Sequence, residues 1–214
     1  MTNFDFRVFV ESDDVSNLNQ IIEKTNEKME GNILYRHHSA FVPHQENKED
    51  ARYNLYFLAK HSSRLVEVGF NGGHSAALFF YANPELRLLS FDLCNHRYAE
   101  LCLAYLKTKY NIAFIKGDSQ QTIPEYQNDS KYDMIHIDGG HDNKACNSDI
   151  VNCKMFADQH SFLVVDDAYL QGINEVIKHL IDTEIIEEID YENHGLKKTN
   201  QHRIFKYKMR PQHN

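Results

Sequence analysis

The sequence predicts an α/β chain: a doubly wound, mostly parallel seven-stranded sheet, helices on both faces, and an antiparallel strand pair at the C-terminal end. Three observations predict it. Five short apolar runs between residues 64 and 165 alternate with stretches of helical period. The runs end in glycine or acidic residues, as strands do where they turn into helices. After residue 184 the pattern changes to two short segments in which apolar and polar residues alternate.

In chain order, residues 14–30 read as an amphipathic helix with Asp13 or Asp14 as its N-cap. Residues 31–45, GNILYRHHSAFVPHQ, are irregular, with Gly31 and Pro43 as breakers. Residues 47–61 form a second helix. Strands are expected at Arg64–Val68, Leu86–Phe91, Ala113–Lys116, Tyr132–Ile137 and Ser161–Val165, each apolar enough to be buried on both faces. Helices are expected at 74–82, 96–109, 119–127, 142–157 and Leu170–Asp182. EIIEEIDYEN and HRIFKYKM, joined through the turn at Gly195, supply the antiparallel pair. At 214 residues this is one compact domain, divided into a helical cap segment (1–60) beside the ligand face and the sheet domain proper (61–214).

Composition narrows the function. The formal net charge of −8 argues against general affinity for nucleic acid or an anionic membrane surface. No apolar run approaches the length of a membrane span, and MTNFDFRVFVESDD is too polar and acidic for a signal peptide. Cys94, Cys102, Cys146 and Cys153 lack a CxxC spacing and read as free thiols in a reducing, cytoplasmic compartment. The apolar segment FDFRVFV (residues 4–10) is a candidate homodimer contact.

Ligands of open α/β sheets bind at the C-terminal strand ends. Here these ends carry Glu67-Val68-Gly69, Asp92, Gly117-Asp118-Ser119, Asp138-Gly139-Gly140-His141 and Asp166-Asp167. The chain places three of its 9 glycines, Gly69, Gly72 and Gly73, in the first turn. A P-loop needs a lysine before Ser/Thr, and His74 stands there instead. A dinucleotide turn needs G-x-G-x-x-G, but Asn71 and His74 hold the second and third glycine places. An acidic rim also repels pyrophosphate. A ligand with a cationic centre, an amino group and a ribose diol suits it, and S-adenosylmethionine (SAM) is such a ligand.

Glu-x-Gly-x-x-x-Gly-x-Ser at Glu67–Ser75, Asp92, Gly117-Asp118-Ser119 and YDMIHIDGGHD resemble the class I SAM-dependent methyltransferases, whose fold is Rossmann-like. More narrowly they resemble the O-methyltransferase branch with an IDGxH signature, which includes metal-dependent catechol and macrolide-sugar enzymes. The resemblance covers roughly residues 50–182. It implies that Gly69, Gly72 and Gly73 wrap the methionine part and ribose; the plain alternative is a tight turn without ligand. Ser75 caps the next helix or meets the methionine carboxylate. Glu67 is a structural acid ordering the glycine loop or a direct ligand. Asp92 accepts the ribose hydroxyls. Asp118 and Ser119 lie beside adenine, unless Asp118 is only a helix cap.

Asp138, Asp166 and Asp167 would repel one another unless a cation joins them, and oxygen donors suit Mg²⁺. The resemblance implies a metal that acidifies a substrate hydroxyl; the alternative is that Asp138 touches only SAM and the acidic pair caps a loop. His141 is the expected base, as in the sugar-type enzymes, where the catechol type has lysine; its rival role is backbone contact at a helix start. His136 reads as structural and His74 as shaping the loop. Tyr35, His37 and His38 are candidate cap contacts. The expected activity is Mg²⁺-assisted O-methylation of a small hydroxylated substrate. A metal-independent methyltransferase of nitrogen or another acceptor, and a non-catalytic SAM-binding module, are the alternatives.

Overall fold

The computed structural model describes residues 4–29, 33, 46–127 and 129–209, so Tyr35, His37 and His38 lie outside the described residues. Helices α1 (Phe6–Val10), α2 (Asp13–Thr25) and α3 (Glu46–Lys60) precede β1 (Arg64–Val68). There follow α4 (His74–Ala82), β2 (Arg87–Asp92), α5 (Arg97–Lys107), β3 (Asn111–Lys116), α6 (Ser119–Glu125) and β4 (Met134–Ile137). Then come α7 (Asn143–Cys153), β5 (Phe162–Val165), α8 (Gln171–Asp182), β6 (Ile186–Glu188) and β7 (Arg203–Tyr207). The sheet order is β3-β2-β1-β4-β5-β7-β6. β1 to β5 are parallel, and β7 runs antiparallel to both β5 and β6. This is the seven-stranded, doubly wound sheet expected. Its winding reverses between β1 and β4, which opens a crevice at their C-terminal ends.

Period-two alternation divides the interior. Leu65, Leu88, Met134, Val164 and Ile204 face a core shared with α1 to α5. Val66, Leu89, Ile135, Leu163 and Phe205 face a second core under α6, α7 and α8. Register then places polar residues. Glu67 pairs with Ser90 on one side and His136 on the other, and all three fall on the first face. Two residues further, the same register brings Asp92, Gly69, Asp138 and Asp166 to the strand ends. His202, just before β7, lies opposite Asp166 because Val165 pairs with Arg203.

Three local expectations are corrected, and the segment at 4–10 is placed. Ser12 caps α2, accepting from the Val15 amide; Asp13 and Asp14 lie in the first turn, where carboxylates oppose the positive helix end. Gly73, not Ser75, caps α4. Residues 154–156 leave α7 as a separate 3-10 turn. The segment at 4–10 contains a short helix whose Phe6 and Phe9 are buried in this chain's own core, with the Arg52 guanidinium 3.9 Å over the Phe6 ring. Those two rings are therefore not a surface for a second copy.

Asn54 of α3 ties the N-terminal helices to the far end of the chain. Its amide donates to Lys197 O at 2.7 Å, accepts from Lys197 N at 2.8 Å, and lies 3.1 Å from His202 Nε2. All four cysteines are free thiols. Among the described residues, no helix is long and apolar enough to cross a membrane.

Candidate functional site

A cavity of about 840 Å³ opens over the strand ends. Gly69, Asp92, Ser119, Asp138, Gly139, His141, Asp166 and Asp167 line its sheet side, and Lys48, Arg52 and Leu55 of α3 line the facing wall. Most of the residues expected at a site therefore meet in one place. Glu67, Gly72, Gly73, Ser75 and Asp118 stand behind that lining.

The first turn is shaped by close approach. Gly69 has φ +97°, and a Cβ there would sit 2.0 Å from the Asp138 carbonyl oxygen. Gly73 has φ +75°, and its Cβ would fall 2.7 Å from the Phe70 ring. Asp92 fixes the turn from the neighbouring strand: one carboxylate oxygen accepts from Phe70 N at 2.7 Å and Asn71 N at 2.9 Å, the other from Cys94 N at 2.6 Å. Glu67 is fully buried and accepts from Ser75 Oγ at 2.5 Å and Ser90 Oγ at 3.1 Å. These bonds brace β1 against β2 and α4 and turn the Ser75 hydroxyl inward.

At the β3 end, Asp118 caps α6, accepting from Gln120 N at 3.0 Å, while Ser119 faces the cavity. Below lies Asp149 of α7, which the sequence pattern did not single out. It is 0% exposed, and neither oxygen has a well-formed hydrogen bond. Burial above all, then Asp118 and Asp142, pushes its carboxyl up to about 6, against the pull of the Ser119 hydroxyl. A carboxyl that titrates near 6 rather than 3.8 costs stability as pH rises through that window, ~3 kcal/mol in all. The melting temperature of Asp149→Asn relative to wild type should therefore climb between pH 4 and 6.5 and then level off. A difference that stays constant across that range would show an ordinary carboxylate.

At the β4 and β5 ends, three carboxylates meet with little compensation. Depth in the protein, then Asp166, Asp167 and Glu67, pushes the Asp138 carboxyl well above its usual range. Depth, then Asp167, pushes Asp166 up to about 6. Asp167 differs. Burial raises it, but hydrogen bonds with His141 and Tyr169 outweigh that and leave it below the usual value. Its φ of +54° turns it towards His141, whose Nε2 lies 2.9 Å from Asp167 Oδ2. Half-buried Lys48 faces this cluster; burial lowers its pKa, and attraction by Asp166 partly restores it.

The expected trio accordingly forms two overlapping sets that share Asp138. One is His136, Asp138 and Asp166; the other is Asp138, His141 and Asp167. Within each set, ligand atoms lie within 4.8 Å of one another. Lys48 and Arg52 were also missed. Their spacing puts both on one face of α3, but nothing in the sequence says that this face meets the strand ends.

Comparison with known proteins adds the following. Residues 66–168 match a family model described as a methyltransferase domain. No curated protein matches the chain. The fold resembles the SAH-bound methyltransferase PaMTH1 of Podospora anserina, with 11% identity, 93% of this chain and 97% of that one covered, and a TM-score of 0.61. It also resembles the O-methyltransferase TomG of Streptomyces achromogenes, solved with SAM, with 16% identity, 91% and 88% covered, and a TM-score of 0.59. Fibrillarin of Aeropyrum pernix, with natively bound SAM, shares 15% identity over 69% and 67%, at a TM-score of 0.52. Residues 66–168 are thus similar to a methyltransferase domain, and the chain has the Rossmann-like fold of these SAM- and SAH-bound methyltransferases.

Proposed function

We propose that this chain transfers the methyl group of SAM to a hydroxyl of a small acceptor, assisted by a divalent cation. One observation carries the reading: the glycine turn, Asp92, the deep Asp138–Asp166 pair and the His141–Asp167 pair all border one cavity. The ligands of PaMTH1 and TomG, and the description of TomG as an O-methyltransferase, favour the same cofactor and acceptor. The four free thiols suit a reducing compartment such as the cytoplasm. We read residues 1–60 as the cap, since α3 supplies the facing wall.

When bound, SAM supplies the electrophilic methyl and a cation supplies the Lewis acidity that makes a hydroxyl acidic. The chain supplies the rest. Gly69 leaves backbone where a side chain would stand. Asp92 holds the turn and offers its remaining lone pairs to the ribose hydroxyls. Ser119 borders the adenine end. His141 takes the acceptor proton at Nδ1, while Asp167 holds Nε2, orients the ring and stabilises its charged form. Asp138, Asp166 and Asp167 would hold the cation. Their fit is argued by the raised carboxyls of Asp138 and Asp166, which are short of positive charge. Oxygen donors alone would suit Mg²⁺.

Lys48 favours a second reading, in which its ammonium replaces the cation and transfer needs no metal. Calorimetric titration with SAM and S-adenosylhomocysteine (SAH), with and without Mg²⁺ and against NAD, tests the cofactor; no adenosyl binding in either condition would end the proposal. Asp167→Ala should then lower turnover of a hydroxylated acceptor at least tenfold while changing SAM affinity less than threefold. Turnover that survives both chelation and this substitution would select the metal-independent reading.

A further inference from the structure

We infer that the cation is a transition-metal ion held by the His136 imidazole together with Asp138 and Asp166, leaving Asp167 to orient His141. This rests on the cation in the reading above and changes its identity and its ligands.

The sheet itself builds the set. His136 and Asp138 are two residues apart at the end of β4, so their side chains emerge on the same face. The Asp166 amide bonds to Ile137 O, which brings Asp166 alongside Asp138 on the neighbouring strand. One ligand atom from each of the three residues lies within 4.8 Å of the others. Bonds of about 2.0–2.2 Å to a central ion bring neighbouring ligand atoms to about 3–3.5 Å, so the three side chains would close in on the ion.

His136 is the independent observation. It is 0% exposed, and neither ring nitrogen has a hydrogen-bond partner. Buried polar atoms are rarely left this way, and one explanation is an ion. Glu67 Oε1 lies 3.9 Å from His136 Nδ1, on the side of the ring where a carboxylate orients a metal-binding histidine. Ser75 and Ser90 in turn hold Glu67. Nε2 is then the nitrogen for the ion. Asp167, by contrast, is already engaged by His141 at 2.9 Å. A set of one imidazole and two carboxylates favours Mn²⁺, Fe²⁺, Co²⁺ or Zn²⁺ over Mg²⁺, which prefers oxygen throughout.

The test uses the metal-free full chain and Mn²⁺. Paramagnetic resonance should show one Mn²⁺ bound per chain, displaced by Mg²⁺ only at a hundredfold excess or more. Spin-echo modulation should show a directly bound nitrogen. That nitrogen should persist in His141→Gln and vanish in His136→Gln. Mn²⁺ affinity in His136→Gln should fall by more than the roughly tenfold to hundredfold cost of losing an outer-shell partner. If His136→Gln does not fold, wild type and His141→Gln decide, because exposed His141 is the histidine of the competing set. Bound Mn²⁺ without nitrogen, or nitrogen lost in His141→Gln, overturns the inference and leaves a cation site standing. No Mn²⁺ binding overturns both the inference and the cation. SAH titrated in parallel shows whether the methyltransferase reading survives that result.

Discussion

Gly69→Ala should be the most damaging single methyl group that can be added to this chain. The new Cβ would meet the Asp138 carbonyl oxygen at 2.0 Å, and no rotamer change relieves a clash with backbone. Alanine also resists a φ of +97°, at a cost of about 1–2 kcal/mol. Relief requires β1 and β4 to separate where Asp138 N bonds to Val68 O at 2.8 Å. The expected loss is at least ~4 kcal/mol, enough to unfold many domains outright. Urea unfolding of any soluble variant measures it. A midpoint like that of wild type would mean that the turn does not approach Asp138 as described.

Asp92→Ala should damage stability and ligand affinity together. It strips the acceptor from three backbone amides, those of Phe70, Asn71 and Cys94, at about 1–3 kcal/mol for each that stays buried without a partner. Water will reach some of them, so a net loss of about 2–4 kcal/mol is expected. SAH affinity should fall about a hundredfold, since the proposed ribose acceptor and the turn geometry are lost together. Asp92→Asn, which keeps one oxygen acceptor, should recover much of the stability but less of the affinity. Unchanged SAH binding in Asp92→Ala would remove the ribose assignment.

The sheet was readable because its central strands are buried apolar runs, although ends slipped by a residue or two: β3 starts at Asn111 rather than Ala113 and, at the sheet edge, is half exposed, and β4 starts at Met134 rather than Tyr132. Arg64–Val68 was placed to the residue. Helix ends were less legible, because caps depend on local geometry: α6 stops at Glu125 rather than 127, with Pro124 in its last turn. The sequence showed that acids crowd the strand ends but not how they divide the work. Asp166 and Asp167 look alike in a string of letters, yet a φ of +54° sends Asp167 to His141 and leaves Asp166 beside Asp138. Asp149 was invisible for a similar reason. In NKACNSDIVNC it looks like one more polar helix residue, and only packing shows that it has no access to water.

The bonds from Asn54 to Lys197 and His202 carry a consequence for how the chain is born. They join residues more than 140 positions apart, and β7 must slot between β5 and β6 before they can close. A chain emerging from the ribosome completes β1 to β5 first, yet the residues that fasten α3 over the strand ends follow only after β6. Contacts this distant in sequence are slow to form. The roof therefore closes only once residues 197–207 have been made, and a nascent chain lacking β7 would hold its acids at the sheet edge with the roof still unlatched.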